Sequence, residues 1–346
     1  MFVKKNYGLK RLLAFSWMHL TWLTIWGSLV LVLHNIFHDT FWISIPWLPI
    51  SVIGTAVAFY VGFKNNSAYD RLWEARKIWG GIVNTSRMWG SISKSYVGNT
   101  FREEKASGSA LYEETKTLIH RQIAWLYTLR EQLLKPTPWE HISSDNKHMR
   151  RYVKLRRKGA IGQFDSEKIE EIVKPLVNDE EGQLVCQAPN SATKLIDLQS
   201  QHLKRLREED LIDDFRHMEM QNLLNEFYTL QGKCERIKNY PLPRQYASIS
   251  FYFVGLFIFL LPFGMLPLFD ELGHELVWLS VPFTTLIGWV FIMMELVGDY
   301  SENPFEGLPN DIPMMSLCRT IEIDLRAMLD ETDLPPRIEA VDGVLM

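Results

Sequence analysis

The chain has 346 residues with 37 basic and 41 acidic side chains, a net charge of −4 that offers no basic surface for nucleic acid. Twelve Trp, 12 Tyr and 19 Phe exclude a disordered chain. A wholly soluble protein is excluded by where charge is missing: Lys, Arg, Asp and Glu are absent from 12–38, 40–63, 245–269 and 276–294, runs long enough to cross a ~30 Å hydrocarbon core as helices.

The first span is expected over about 12–37. Four basic residues (Lys4, Lys5, Lys10 and Arg11) precede it, but it is too long for the apolar core of a signal peptide and a second run follows at once. A break of three polar residues, His38-Asp39-Thr40, can only join antiparallel helices, so the second span, about 41–63, completes a hairpin. Within it Gly54, Ala58 and Gly62 form a small-residue stripe suited to close helix contact. Thr55, Phe59 and Phe63 form a neighbouring stripe at the same spacing. Those side chains face lipid, or they project into a shared axis and form stacked apolar rings of the kind that gate ions by dewetting.

Residues 64–244 read as a mostly helical domain, with apolar periodicity of three and four over 115–134, 195–206 and 223–237. The segments 98–110 and 140–168 read as loops. A third span, about 246–268 and preceded by Pro241 and Pro243, pairs with a fourth over 276–294. The tail from about 330, with Pro335-Pro336, is expected to be poorly ordered. Basic residues flank the outer ends of both hairpins, whereas their connections are acidic or neutral. Both termini and the middle domain are therefore expected in the cytoplasm. The predicted fold is an all-α membrane protein in four parts: 1–63 with the first hairpin, 64–244 cytoplasmic, 245–294 with the second hairpin, and 295–346 as strap, amphipathic helix (314–329) and tail.

No catalytic motif is present: no Walker loop, His-Glu-x-x-His, Gly-x-Ser-x-Gly or Cys-x-x-Cys. Cys186, Cys234 and Cys318 have no paired spacing and read as reduced thiols. His34 and His38 are the one histidine pair at helical spacing, and surface placement is the ordinary reading. Neither a metal nor a cofactor is expected. The mixed charged and aromatic run from Asn65 to Gly80 reads as an interfacial anchor and subunit contact. The turn-rich stretch 302–313 reads as a connector.

The run Gly62-Phe63-Lys64-Asn65-Asn66-Ser67-Ala68-Tyr69-Asp70-Arg71-Leu72-Trp73-Glu74-Ala75-Arg76 resembles the bestrophin family, particularly its bacterial branch. So do Asn303-Pro304-Phe305 and Leu223-Leu224-Asn225-Glu226. The resemblance implies a homopentamer around one central pore in the bacterial inner membrane, with four transmembrane helices per subunit. Its partners would be inorganic ions, the lipid bilayer and other copies of the chain. It places the hydrophobic neck on Thr55, Phe59 and Phe63, where Thr55 departs from the family's wholly apolar pattern and makes a wetter outermost ring. A second, cytoplasmic constriction falls near the helix after Pro189, with Ile196 as the candidate. Tyr69, Asp70, Arg71, Trp73, Glu74 and Arg76 carry the family motif and subunit contact, and Asn303, Pro304 and Phe305 open the strap. Animal relatives follow that strap with a dense aspartate run that clasps calcium. Only Glu306 and Asp311 stand there in this chain, against the six to eight oxygen ligands calcium takes. The expected function is passive conduction of chloride or another anion, without enzymatic chemistry. A cation-conducting homologue is the alternative, and a membrane-anchored scaffold or receptor is the rival of another class.

Overall fold

The computed structural model describes residues 1–36, 45–143 and 173–346, with 147, 150, 151, 153–155, 157 and 171 between them. The break at 38–40, His38 of the histidine pair and most of the expected 140–168 loop lie outside the described residues. Among the described residues the regular structure is helical, apart from two isolated bridges near the ends of the chain. The helices are α1 (Leu9–Ile36), α2 (Trp47–Tyr96), α3 (Gly108–Leu134), α4 (Asp179–Gln187), α5 (Ser191–Glu208), α6 (Asp214–Asn239), α7 (Arg244–Asp270), α8 (Ser280–Asp299) and α9 (Met314–Met328). Four helical stretches are long and apolar enough to cross a membrane: α1, α2, α7, and α8 with the 3-10 turn His274–Leu279 before it.

The contacts divide the chain into two compact units. The apolar unit holds Lys4–Leu72 and Pro241–Asn303; the polar unit holds Met1–Val3, Trp73–Tyr240 and Pro304–Met346. Helix α2 contributes to both, the division falling after Leu72.

In the apolar unit α8 packs against α1 and α7, around a core that includes Leu23, Val57, Val61, Phe257, Leu261 and Ile292. Gly54 lies against the Phe257 ring, where an added Cβ would come within 2.6 Å. The small-residue stripe does not continue as expected. Ala58 is half-buried, and Gly62 is exposed with open space beside it. Eight residues at 100° each turn a helix about 80° past a whole number of turns, so Gly62 has rotated off the face that Gly54 occupies. The buried face instead runs Ile50, Gly54, Val57, Val61, Lys64 and Ala68. Helix α7 contains Pro262 and Pro267. Pro267 has no N–H for the carbonyl of Phe263, four residues back. The backbone N–H of Ile45 donates to that carbonyl instead, at 3.1 Å.

In the polar unit the helix starts are set by side-chain caps. Ser107 accepts from the Ala110 N–H, Asn178 from Glu181, Asn190 from Thr193 and Asp213 from Arg216. Each supplies an acceptor for an N–H that has no partner in the first turn. Helix α3 is the central element, contacting α5, α6 and α9. Trp89 donates to the Leu118 carbonyl at 3.2 Å, and Gln122 donates to Ser86 at 3.1 Å, joining this part of α2 to α3. The cysteines are free thiols. Burial pushes Cys318 up to about 12 and raises Cys234 too, so neither forms thiolate readily.

The tail does not behave as the sequence suggests. Val341 and Val344 form a bridge, Phe2 bridges to Val344, and the Ser316 N–H donates to the Met346 carbonyl at 2.8 Å. Met346 is buried. The polar, proline-bearing composition of 330–340 reads as unstructured, but partners distant in sequence hold its far end.

Candidate functional site

Helix α2 has two unlike faces within the apolar unit. Behind it, Val57, Val61, Lys64 and Ala68 are buried. In front, Val52, Thr55, Phe59 and Phe63 are exposed, and each phenylalanine leaves 66% of its surface uncovered. Thr55 donates its hydroxyl to the Ser51 carbonyl at 2.9 Å. The structure thus brings the three predicted neck residues together on one uncovered stripe. A single subunit leaves such a stripe to lipid or to other copies.

The register of that stripe is fixed from behind. Lys64 follows Phe63 but points the opposite way, is only 1% exposed, and forms an ion pair with Glu295 of α8. Ser250 of α7 donates to the other oxygen of the same carboxylate. Asn65 donates through Nδ2 to the Met294 carbonyl at 2.8 Å, and Gly298 leaves the room that the Asn65 side chain occupies. Two neighbouring residues of α2 are therefore held by α8 beside the second phenylalanine. Sequence reading missed Lys64 and Glu295 as a pair, because each stands at the edge of an uncharged run and reads as a membrane flank. The available signal was the opposite sign of two charges at the C-terminal ends of the second and fourth spans, which two successive hairpins run in the same direction.

The family motif is split by the helix period. Tyr69, Asp70 and Trp73 are exposed, Arg71 and Arg76 are half-buried, and half-buried Glu74 pairs with Arg236. Leu72 and Ala75 are buried between them.

Ile196 is 1% exposed, covered within the polar unit together with Leu195, Leu203 and Leu206. A constriction side chain needs an open face in the single subunit, and this one has none. The period of α5 puts Ile196 on its core side and leaves Lys194 and Asp197, themselves ion-paired at 2.7 Å, nearer the surface.

The strap is a closed structure. Asn303 is buried at the end of the apolar unit, and Pro304 with fully buried Phe305 begins the last part of the polar one. Phe305 has a φ of 72°, a left-handed conformation unusual for a bulky residue. Asp311 holds it by accepting from the N–H groups of Phe305 (3.1 Å), Gly307 (2.8 Å) and Ile312 (2.7 Å). Glu306 is taken up by His141 at 2.9 Å and by the Ile142 N–H at 3.2 Å. Both strap carboxylates are thus saturated by donors. No group of three or more His, Cys, Asp or Glu suited to a metal occurs among the described residues.

One polar cluster resembles catalytic machinery in composition. Arg121, buried on α3, makes two bonds to Glu181 (3.1 and 2.7 Å) and one to Gln199 (2.9 Å). Its Nη1 lies 3.0 Å from Nδ1 of His202. The other ring nitrogen of His202, Nε2, faces Glu114 at 2.6 Å and Nη2 of Arg205 at 2.9 Å. That hydrogen bond, with Arg205 beside it, holds Glu114 down to about 2. Each of these groups is spent on a neighbour in the same unit. The cluster cross-links α3, α4 and α5 and presents no free acid or base.

Comparison with known proteins agrees with the helical layout. The family described as Bacterial/Fungal Bestrophin protein matches residues 12–327. A Salmonella typhi protein named voltage-dependent anion channel-forming protein YneE is 27% identical over 305 residues, covering 85% of this chain and 84% of its own. Its Escherichia coli K12 namesake is 28% identical over 292 residues, covering 84% and 79%. Both names are those of channel formers, as expected here in place of an enzyme. Two crystal structures of a bacterial bestrophin homologue from Klebsiella pneumoniae, each covering 91% of this chain and 98% of their own, superpose with TM-scores of 0.73 and 0.71 at 20% and 22% identity. At that identity they show the shared fold. With four membrane-length helices and a family match that spans nearly the whole sequence, this chain belongs to the bacterial and fungal bestrophin family.

Proposed function

We propose that this chain is a passive anion channel of the bestrophin type, conducting chloride through a pore lined by the outward stripe of α2. The observation that carries this reading is the pair Phe59 and Phe63: two large apolar rings, uncovered, on a helix whose opposite face is fully packed. The names of the relatives support the anion class. In this reading five copies surround one axis, and Thr55, Phe59 and Phe63 stack as a hydrophobic neck. Uncovered Tyr69 and Trp73 meet neighbouring copies. Residues 1–63 and 245–294 supply the membrane hairpins of a bacterial inner-membrane protein, while 64–244, the strap and both termini lie in the cytoplasm. The basic flanks at Lys4, Lys5, Lys10, Arg11, Lys64 and Arg71 support that orientation.

Recording the purified protein in a planar bilayer with asymmetric potassium chloride tests the function. The zero-current potential is expected near the chloride equilibrium value. A value near that of potassium assigns the channel to cations, and the absence of conductance in assembled protein removes the channel reading.

Calcium is expected to be dispensable, since Glu306 and Asp311 are already saturated by donors of the chain. Chelating calcium should leave chloride flux from reconstituted vesicles unchanged. Loss of flux that micromolar calcium restores would show that the strap opens to take the ion.

A further inference from the structure

The basic residues that flank the membrane helices of the apolar unit are not alike. Lys64 is buried in its pair with Glu295, and Arg244 pairs with Glu302. Lys4, Lys5 and Lys10 are exposed and make no ion pair among the described residues. No acid serves them locally, because the first Asp or Glu of the sequence is Asp39, beyond the first uncharged run. Uncovered apolar side chains are interleaved with these lysines or follow them: Tyr7, Leu9, Leu13 and Trp17. Around α1, Lys10 and Trp17 lie within about 20° of each other, and about 10 Å apart along the axis.

Depth decides what this face meets. The uncharged run of α1 begins at Leu12, so Lys10 stands about 3 Å of helix rise outside it. The headgroup layer is roughly 5–8 Å thick on each side of the hydrocarbon, and a lysine stem reaches outward through it. The Lys10 ammonium therefore comes level with lipid phosphates while Leu13 and Trp17 lie at the depth of the acyl chains. We propose that residues 4–17 form a binding site for an anionic phospholipid, in which Lys4, Lys5 and Lys10 supply the charge and Leu13 and Trp17 meet the chains. The uncovered apolar neighbours favour a lipid over free phosphate, which gains nothing from them. Each exposed lysine at an anionic membrane surface is worth roughly a fivefold preference, so three together give about a hundredfold preference for an anionic over a zwitterionic lipid. That preference weakens as salt shortens the Debye length. The site is independent of which face of α2 meets the axis, so it stands or falls apart from the neck.

The test offers the purified, assembled protein equal amounts of phosphatidylglycerol and phosphatidylcholine with identical acyl chains, and quantifies the retained lipid by mass spectrometry. The original chain is expected to retain phosphatidylglycerol preferentially, with the preference falling as potassium chloride is raised. Changing Lys4, Lys5 and Lys10 together to Gln is expected to lower the preference by tens of fold, and changing all three to Arg, which keeps the charge, to preserve it. Should the triple Gln variant not assemble, Lys10→Gln alone is read in its place, with a fall of about fivefold expected. A preference that stays unchanged in the Gln variants overturns the site. Displacement of the phosphatidylglycerol by inorganic phosphate, where potassium chloride of equal ionic strength does not displace it, assigns the lysines to a free anion and overturns the lipid reading.

Discussion

Replacing Phe59 and Phe63 together by alanine is expected to raise unitary current by at least about tenfold. The two rings sit four residues apart on α2, an axial separation of about 6 Å at a rise of ~1.5 Å per residue. In a pentamer they make two successive apolar girdles. An ion passing them sheds water and finds no oxygen to replace it, a cost of several kcal/mol. Alanine widens both girdles and lets water in. A fall of only 1.4 kcal/mol in the barrier changes the rate about tenfold. Thr55 does not compensate, because its hydroxyl proton is already donated to Ser51. If the phenylalanines face lipid instead, the double variant weakens expression or assembly while each assembled channel conducts as before. Single-channel recording with the oligomer checked by mass separates the two, and an unaltered unitary current in intact assemblies would sink the neck.

The second large effect is expected at Lys64. With Lys64 replaced by Met, the Glu295 carboxyl loses its cationic partner in a site where it is 6% exposed, with Ser250 as its remaining donor. Stranding one member of a buried pair costs about 3–5 kcal/mol, enough to lower the melting temperature of the detergent-solubilised protein by many degrees. The double change Lys64→Met with Glu295→Leu removes both charges and keeps the volume, and is expected to recover most of the loss. That recovery distinguishes a coupled pair from two independent contributions. If the double variant is as unstable as the sum of the singles, the two residues do not act on each other. A single variant within about 1 kcal/mol of the original would place both groups in water.

Much of the layout is legible in the sequence, and the reasons differ from part to part. The membrane helices announce themselves because hydrocarbon tolerates so few charges, so uncharged runs mark α1, α7 and α8 to within a few residues. The length of α2 is not marked. Charge resumes at Lys64, which reads as the end of a span, yet the helix continues to Tyr96. Nothing between those residues is a proline, and Gly80 and Gly81 alone do not stop it. The stripe Thr55, Phe59 and Phe63 is visible from spacing, but whether an uncovered apolar stripe meets lipid or an axis is a property of the assembly. Ile196 shows the opposite failure, where an apolar residue at a plausible place belongs to the core of its own unit. The pairing of residues 1–3 with 341–346 joins segments more than three hundred positions apart, beyond the reach of any local pattern.

The close approach of Asn65 to Gly298 bears on how this helix pair can vary over time. No side chain, not even a methyl group, can be added at 298 while the Asn65 amide occupies that space. The amide in turn is held there by the carbonyl of Met294. Substitutions at the two positions are therefore ordered. Asn65 must first shrink, giving up one hydrogen bond worth about 1 kcal/mol, before 298 is free to enlarge, and the reverse order meets a steric collision at once. A lineage that has enlarged 298 cannot return to asparagine at 65 without first restoring the glycine, so the pair acts as a ratchet on the divergence of this part of the membrane unit.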